Sequence, residues 1–157
     1  GAPLIGYLLF AAIAGFSPLS PLTQSAAHAE EAVSASSFTV TDGDTIRFNG
    51  SSAGTRLVGF NAPETSESRC EREQQLGEQA TARLKDLVAA ASLTYQQVPC
   101  ACKPGTEGTR KCNYGRTCGV LKADGRDVGE ILIAEGLAVP FVCGTQSCPR
   151  TPRPWCD

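Results

Sequence analysis

Methionine is absent from the 157-residue chain, histidine occurs once, and basic residues are not in excess. Since residue 1 is not methionine, it is not an initiator, and we expect a truncated N-terminus. The one histidine, His28, falls in a segment that we expect to be removed. The 14 Lys and Arg residues are outnumbered by 16 Asp and Glu residues, for a net charge of −2. Proteins that hold nucleic acid tightly are usually basic, so the composition argues mildly against a protein that binds nucleic acid stably.

A long apolar span is also lacking. The apolar stretch at residues 4–16 is too short to cross a bilayer comfortably. It precedes Ala-His-Ala at residues 27–29, and a short apolar run before such a site is typical of a secretory signal peptide. We therefore expect a signal peptide at residues 1–29, a periplasmic or secreted mature protein, and no stable membrane association after cleavage. An uncleaved anchor or a buried helix is the alternative.

Cysteine, in contrast, is abundant, and all eight cysteines follow residue 29. An even number behind a signal peptide indicates disulfides formed in an oxidising compartment. Four thiolates from Cys100, Cys102, Cys112 and Cys118 could instead bind zinc, although neither pair has a common zinc-knuckle spacing. Disulfides are favoured, and their connectivity stays open.

The pattern along the chain predicts a small domain built mainly from β-strands. Short β-rich runs separated by turn residues occupy residues 37–60. Further strands are predicted for residues 92–98 and 115–125. Apolar residues at spacings of three and four predict a helix over residues 71–91, and a second helix is predicted over residues 127–135. Several short strands with few helices indicate a small closed barrel.

Three segments divide the chain after the predicted signal peptide. Residues 30–36 are expected to form a short polar linker, and residues 37–142 to form the folded domain. Residues 143–157 are rich in cysteine and proline. This tail is not expected to be helical, and we expect disulfides to hold it in place.

An aspartate-glycine-aspartate motif carries the first candidate chemistry. Asp42 and Asp44 lie at positions i and i+2 beside a predicted tight turn, so in a strand their side chains face the same way. Two such carboxylates can hold a hard cation such as calcium or magnesium. Taken alone, this motif is more often a structural turn.

Two further motifs each present an arginine. Arg56 begins an apolar strand, where an arginine is costly to bury without a partner. The same motif continues to Asn61, which offers an amide oxygen, and to Pro63, which stiffens the turn that presents Glu64. Further on, a Tyr-Gly-Arg motif ends at Arg116. A surface turn with a paired arginine, and an ordinary turn into a strand, are the alternatives.

The ordered set of motifs resembles the staphylococcal-nuclease-like (thermonuclease) family. The set is D-G-D-T, R-L-x-G-x-[DN]-A-P-E, Y-G-R and a helix ending in E-G-L-A, and the similarity runs from about Phe38 to Phe141. The resemblance implies an OB-fold, a small five-stranded Greek-key barrel with two helices, here followed by the tail. It also implies calcium-dependent cleavage of DNA and/or RNA, and we expect the protein to act as a monomer.

The resemblance further implies roles for the residues that act on the substrate. Arg56 and Arg116 match the arginines that grip the phosphate, and Glu64 matches the glutamate that orients or deprotonates the attacking water. Tyr114 and Phe141 are the implied contacts to the nucleotide. Phe141 stands near a position where the family often has tyrosine, so it can stack on a base but cannot donate a hydrogen bond.

The implied calcium ligands are Asp44, Asn61 and the backbone carbonyl of Ala62, with Asp42 outside the direct ligands. The family usually has a second aspartate where this chain has Asn61. The neutral side chain removes one negative charge, and we expect weaker calcium binding. A second departure is the tail, which replaces the extended C-terminal helix of the family.

Two other functions remain open on the sequence alone. The same barrel with a weak metal site could be a single-stranded nucleic-acid-binding module, since OB-folds often bind single strands without cutting them. A disulfide-stapled structural protein of the cell envelope is the third possibility, and the acidic net charge favours it slightly.

Overall fold

The structure is a computed structural model that describes residues 1–4, 6, 11–18 and 28–157. The predicted signal peptide lies partly outside these residues. Within them, no helix combines the length and the apolarity needed to cross a membrane. The described elements of regular structure all follow residue 30.

Short strands dominate the architecture, and two α-helices pack against them. The strands are β1 (Glu31–Val33), β2 (Phe38–Asp42), β3 (Thr45–Phe48), β4 (Thr55–Leu57), β5 (Gly59–Asn61), β6 (Leu93–Val98), β7 (Thr117–Ala123), β8 (Arg126–Asp127) and β9 (Val139–Phe141). The helices are α1 (Glu71–Ala90) and α2 (Val128–Ala134). Single turns of 3-10 helix cover Ala35–Ser37, Asn113–Gly115 and Pro154–Cys156.

The larger sheet has the strand order β1-β6-β7-β4-β3-β2, with β8 paired to β7. Its pairings are antiparallel except for the parallel pairing of β4 with β7. β5 and β9 form a separate antiparallel ladder. The five strands β2, β3, β4, β7 and β6 form the central path, and a partly open five-stranded barrel is the OB architecture. The predicted mainly β fold with two helices is therefore confirmed.

The predicted linker at residues 30–36 is corrected by the structure. Residues Glu31–Val33 form β1, which pairs antiparallel with β6 along the edge of the sheet. The side chain of Val33 packs against the hydrophobic core. The composition of this segment is polar, but the open edge of β6 supplies hydrogen-bond partners that local sequence does not reveal.

Both helices begin and end close to the predicted positions. Cys70 caps α1 by accepting a hydrogen bond from the N–H of Glu73, and the buried residues Ala80, Leu84 and Val88 recur every four positions. The helix thus turns one apolar stripe towards the sheet. Asp127 caps α2 by accepting a hydrogen bond from the N–H of Gly129 at 2.7 Å.

All eight cysteines are paired in disulfides. The pairs are Cys70–Cys156, Cys100–Cys118, Cys102–Cys112 and Cys143–Cys148. The zinc alternative is therefore not supported, since none of these thiols is left to bind a metal. The tail is held as predicted, because Cys156 is bonded to the N-cap of α1 and Trp155 is buried. Its one helical element is the short 3-10 turn at Pro154–Cys156, a single turn that the proline-based prediction did not include.

Candidate active site

The hairpin between β2 and β3 positions the two aspartates of the first motif. Asp42 ends β2, and its Oδ1 accepts a hydrogen bond from the backbone N–H of Asp44 at 3.0 Å. A Cβ atom at Gly43 would lie 2.7 Å from the Cβ of Ala62 and 2.9 Å from the Cβ of Ala80. Glycine is therefore required here because the turn packs tightly against α1 and against the loop that follows β5.

Asp44 is buried where the hairpin meets β4 and the end of β5. Its Oδ2 accepts a hydrogen bond from the N–H of Ala62 at 2.9 Å and lies 3.3 Å from Nη2 of Arg56. Burial raises the pKa of Asp44 to about 7; Arg56 opposes this shift and Asp42 adds to it. The loss of solvation on burial therefore outweighs the ion pair with Arg56.

Arg56 contacts both Asp44 and Asn61. It lies on β4, between β3 and β7 in the sheet. Its Nη2 donates a hydrogen bond to Oδ1 of Asn61 at 3.0 Å, and its Nη1 donates to the carbonyl oxygen of Leu57 at 2.6 Å. These contacts fix the plane of the guanidinium at the edge of the site.

Asn61 is held on both sides of its amide group. Its side chain is buried, with 2% of the residue exposed. While Oδ1 accepts from Arg56, Nδ2 donates to the carbonyl oxygen of Pro152 in the tail at 2.9 Å. The neighbouring Ala62 contributes its N–H to Asp44; the metal-binding role of its carbonyl stays a prediction.

Glu64 lies just beyond, half-buried in the loop between β5 and α1. Burial raises the pKa of Glu64, and Asp42 adds to the shift, whereas Arg153 and Arg56 lower it. A raised pKa suits a group that must accept a proton near neutral pH. A Cβ at Gly77 would lie 2.8 Å from the carbonyl oxygen of Glu64, so α1 packs directly against the backbone that presents the carboxylate.

Arg116 lies beside β7, the strand that pairs in parallel with β4. It immediately precedes β7, and its guanidinium donates to the backbone carbonyl of Asn113 at 3.1 Å and to Oδ1 of the same residue at 2.6 Å. Burial and the nearby Arg56 lower the pKa of Arg116, while Asp44 raises it. The pairing of Thr117 with Thr55 places Arg116 beside the start of β4, where a Cβ at Gly54 would lie 3.8 Å from Cδ of Arg116.

The residues before Arg116 have unusual backbone angles. Asn113 and Tyr114 have φ values of 52° and 58°, in the left-handed region that non-glycine residues rarely adopt. Tyr114 is 80% exposed, and its ring centroid lies 5.9 Å from Cζ of Arg116. The tyrosine is thus presented to solvent beside the arginine, and such backbone conformations are common at functional sites.

A cleft of about 610 Å³ opens beside Arg56. Its mostly apolar walls come from β4, β5, β9 and the cysteine-containing segments 99–102 and 142–148, and Phe141 and Asn113 line it. Phe141 pairs with Gly59 in the β5–β9 ladder. The structure therefore brings the predicted phenylalanine to the cleft and places the predicted tyrosine at the second arginine.

The side chains of the site offer oxygen atoms, the type of ligand that a hard cation prefers. Asp42, Asp44 and Glu64 offer carboxylate oxygens, which calcium prefers. Among the described residues, however, no three His, Cys, Asp or Glu side chains converge into a metal-binding cluster. A cation held here would complete its coordination with backbone, amide, water or substrate oxygens.

Two charged residues beside the site were missing from the predicted set. Glu73 is fully buried in α1, and Arg153 of the tail forms an ion pair with it, with Nε 2.9 Å from Oε1. A signal for Glu73 was present in the sequence, because it falls on the same helical stripe as Ala80, Leu84 and Val88. A charge on a buried stripe needs a partner.

The segment that contains this site is similar in sequence to known proteins. The sequence profile described as staphylococcal nuclease homologue matches residues 54–150, which is more than half of the chain. The matched range contains Arg56, Glu64 and Arg116, whereas Asp42 and Asp44 precede it.

Two similar proteins come from Bacillus subtilis (strain 168): endonuclease YncB and SPbeta prophage-derived endonuclease YokF. Each is 35% identical over 100 residues, or 62% of this chain. The alignments cover 43% of YncB and 30% of YokF, so the chain spans less than half the length of these relatives. Because the family profile covers most of the folded domain and agrees with its mainly β fold, the chain belongs to the staphylococcal nuclease homologue family.

Proposed function

We propose that this protein is an exported, calcium-dependent endonuclease that hydrolyses phosphodiester bonds of DNA and/or RNA. The observation that carries the proposal is the meeting of two arginines and two carboxylates at one end of the sheet. Nη2 of Arg56 lies 3.3 Å from Oδ2 of Asp44, and Arg116 immediately precedes the strand that pairs with β4. Glu64 lies in the loop that follows β5. Family membership and the two endonucleases among its relatives support the same activity.

The two arginines are proposed to bind the phosphate. A phosphodiester is anionic, and guanidinium groups donate forked hydrogen bonds that match its oxygens. The bonds of Arg116 to Asn113 use two of its five N–H donors and fix its orientation. Such preformed donors stabilise the charge that gathers on phosphate in the transition state without a reorganisation cost.

Glu64 is proposed to accept the proton of the attacking water. Its half-buried carboxyl has a raised pKa, so its basicity lies closer to neutral pH than that of an exposed glutamate. Asp44, Asn61 and the carbonyl of Ala62 are the proposed calcium ligands, with Asp42 supporting Asp44 through its hydrogen bond. When bound, calcium supplies charge neutralisation at the phosphate. Oδ1 of Asn61 has two lone pairs, so it can accept from Arg56 and still face a cation.

A nucleic-acid-binding module without catalysis is the second candidate. The lack of a cluster of three metal-ligating side chains among the described residues favours it over an enzyme with tight calcium binding. Incubation of the purified protein with plasmid DNA and with RNA, in calcium or in a chelator, separates the candidates. Degradation only in calcium supports the nuclease, and a gel shift without degradation selects the binding module. A protein that does neither fits a structural role in the envelope.

Export and a monomeric state are part of the proposal. Four disulfides among the described residues support an oxidising compartment, since such bonds are rare in the cytosol. Cell fractionation followed by mass measurement should find a chain that starts at Glu30 outside the cytoplasm. Sedimentation of that chain should give a monomer mass, and a cytosolic full-length chain or a dimer would contradict these parts.

A further inference from the structure

We propose that the C-terminal segment 152–156 positions the loop that presents Glu64, with Arg153 as the central positioning residue. The inference rests on the proposed nuclease function. It assigns a role to a tail that replaces the C-terminal helix expected for the family. The segment contacts the loop between β5 and α1 at its start, at its middle and at its end.

The first contact is at the start of the loop. Asn61 ends β5, and its Nδ2 donates to the carbonyl oxygen of Pro152 at 2.9 Å. Since Oδ1 of Asn61 accepts from Arg56, the tail and the phosphate-binding arginine fix the same amide group from opposite sides.

The second contact is in the middle of the loop, and the third is at its end. Nη2 of Arg153 donates to the carbonyl oxygen of Glu67 at 3.0 Å, three residues after Glu64. At the end of the loop, the disulfide to Cys156 fixes Cys70, the N-cap of α1. The N–H of Arg69 donates to Oε2 of Glu73, the acid that pairs with Arg153.

The buried ion pair makes the position of the tail specific. Glu73 is fully buried, and Arg153 donates to both of its carboxylate oxygens. A buried carboxylate without its partner is strongly unfavourable, so the pair favours one placement of the tail over others. Trp155 is also buried, and the 3-10 turn that contains it packs against α1.

The loop depends on such support because it has no regular structure of its own. Residues 62–70 lie between β5 and α1 without a helix or a strand. A general base must stay within hydrogen-bond reach of the water it activates. A displacement of about 1 Å can cost about 100-fold in rate, so a loosened loop should lower turnover while the fold survives.

The test replaces the ion pair by apolar side chains. Glu73→Met/Arg153→Met removes both charges, and leaves no uncompensated carboxylate inside the protein. Arg150→Met is the matched control, because it removes the same charge from an exposed position of the same tail. Arg153→Lys keeps the charge but loses the planar fork, and serves as the conservative variant. Cys70→Ser/Cys156→Ser loosens the tail while leaving the ion pair, and replaces the double Met variant should that variant not fold.

The measurements are kcat and KM in calcium, circular dichroism, and hydrogen exchange of residues 62–70. We expect the double variant to keep its circular dichroism spectrum and to lose exchange protection in this loop. Its kcat should fall by about 10- to 100-fold with KM changed little. Arg153→Lys should recover part of kcat, and Arg150→Met should match the wild type.

Three results separate the possible failures. A folded double variant with wild-type kcat and wild-type loop exchange overturns the positioning role. If exchange protection falls equally throughout the domain, and kcat falls only near the melting transition, the Glu73–Arg153 ion pair contributes to stability alone. That result also overturns the positioning role. A wild-type protein that cleaves no nucleic acid overturns the nuclease function, which is a separate outcome.

Discussion

Replacing Asn61 by aspartate perturbs the proposed metal site and the tail contact at the same time. The carboxylate keeps an oxygen for Arg56 but loses the N–H that Nδ2 donates to the carbonyl oxygen of Pro152. Asp44 lies close by, since its Oδ2 is 3.3 Å from the same Arg56 nitrogen. The variant therefore adds a negative charge to a buried site whose existing carboxyl already has a raised pKa.

Two opposite effects follow from this change. Leaving the Pro152 carbonyl without its donor costs about 1–3 kcal/mol. For a domain of this size, that cost lowers the melting temperature in a chelator by about 4–12 °C. The added carboxylate should raise calcium affinity, because calcium sites bind more tightly as their ligand charge increases. Calcium at about 100 times its Kd contributes about 2.7 kcal/mol, so saturating calcium should offset most of the lost stability.

The assay pairs a calcium titration of activity with thermal melts in chelator and in calcium. Asn49→Asp is the matched control, since Asn49 is exposed and its Nδ2 donates to the carbonyl oxygen of Ser36 at 2.7 Å. Asn61→Asp should need less calcium for half-maximal activity, and the control should not. An equal or higher calcium requirement would show that Asn61 is not a ligand. An unchanged melting temperature in chelator would refute the contact with Pro152.

Three further predictions concern the phosphate, the disulfides and pH. Arg116→Ala should lower kcat by about 100- to 1000-fold. The control Arg110→Ala, at an exposed position, should leave kcat near the wild-type value. Similar rates for both variants would show that Arg116 does not bind the phosphate. Alkylation and mass spectrometry should find no free thiol. Reductant should lower the melting temperature sharply, since each native disulfide contributes about 2–5 kcal/mol. Stoichiometric zinc with free thiols would contradict this prediction. In chelator, Asp44 binds a proton more tightly in the folded protein than in the unfolded chain. The free energy of unfolding should therefore fall as pH rises from 3.8 to about 7. Asp44→Asn should lack this pH-dependent component. Parallel pH profiles for the wild type and Asp44→Asn would show that Asp44 titrates normally.

Local patterns in the sequence predicted the elements whose signals are contained within one segment. The stripe at Ala80, Leu84 and Val88 specifies α1, and its bounds differ from the prediction by one residue. The structure also brings Asp44, Arg56 and Asn61 of the predicted site into contact. Arg56 lies in the middle of β4, Asp44 immediately precedes β3 and Arg116 immediately precedes β7. Pairing of β4 with β3 and with β7 therefore places Arg56 between the other two residues.

Contacts between distant segments were not predictable in this way. The partner of Asn61 is the carbonyl of Pro152, 91 residues away, and no periodicity links the two positions. Strand β1 forms because β6 leaves an edge to pair with, which depends on the assembled sheet. The disulfide pairing has the same origin, since it depends on which cysteines the folded chain brings together.

The most direct test of the proposed function is the hydrolysis of labelled DNA and RNA in calcium by the wild type, Glu64→Gln and Glu67→Gln. Glu67 is exposed in the same loop, so its substitution controls for the loss of one carboxylate. We expect cleavage by the wild type and by Glu67→Gln, and a rate about 100- to 1000-fold lower for a folded Glu64→Gln. Equal cleavage by all three proteins would remove Glu64 from the chemistry, and no cleavage by the wild type would contradict the nuclease function itself.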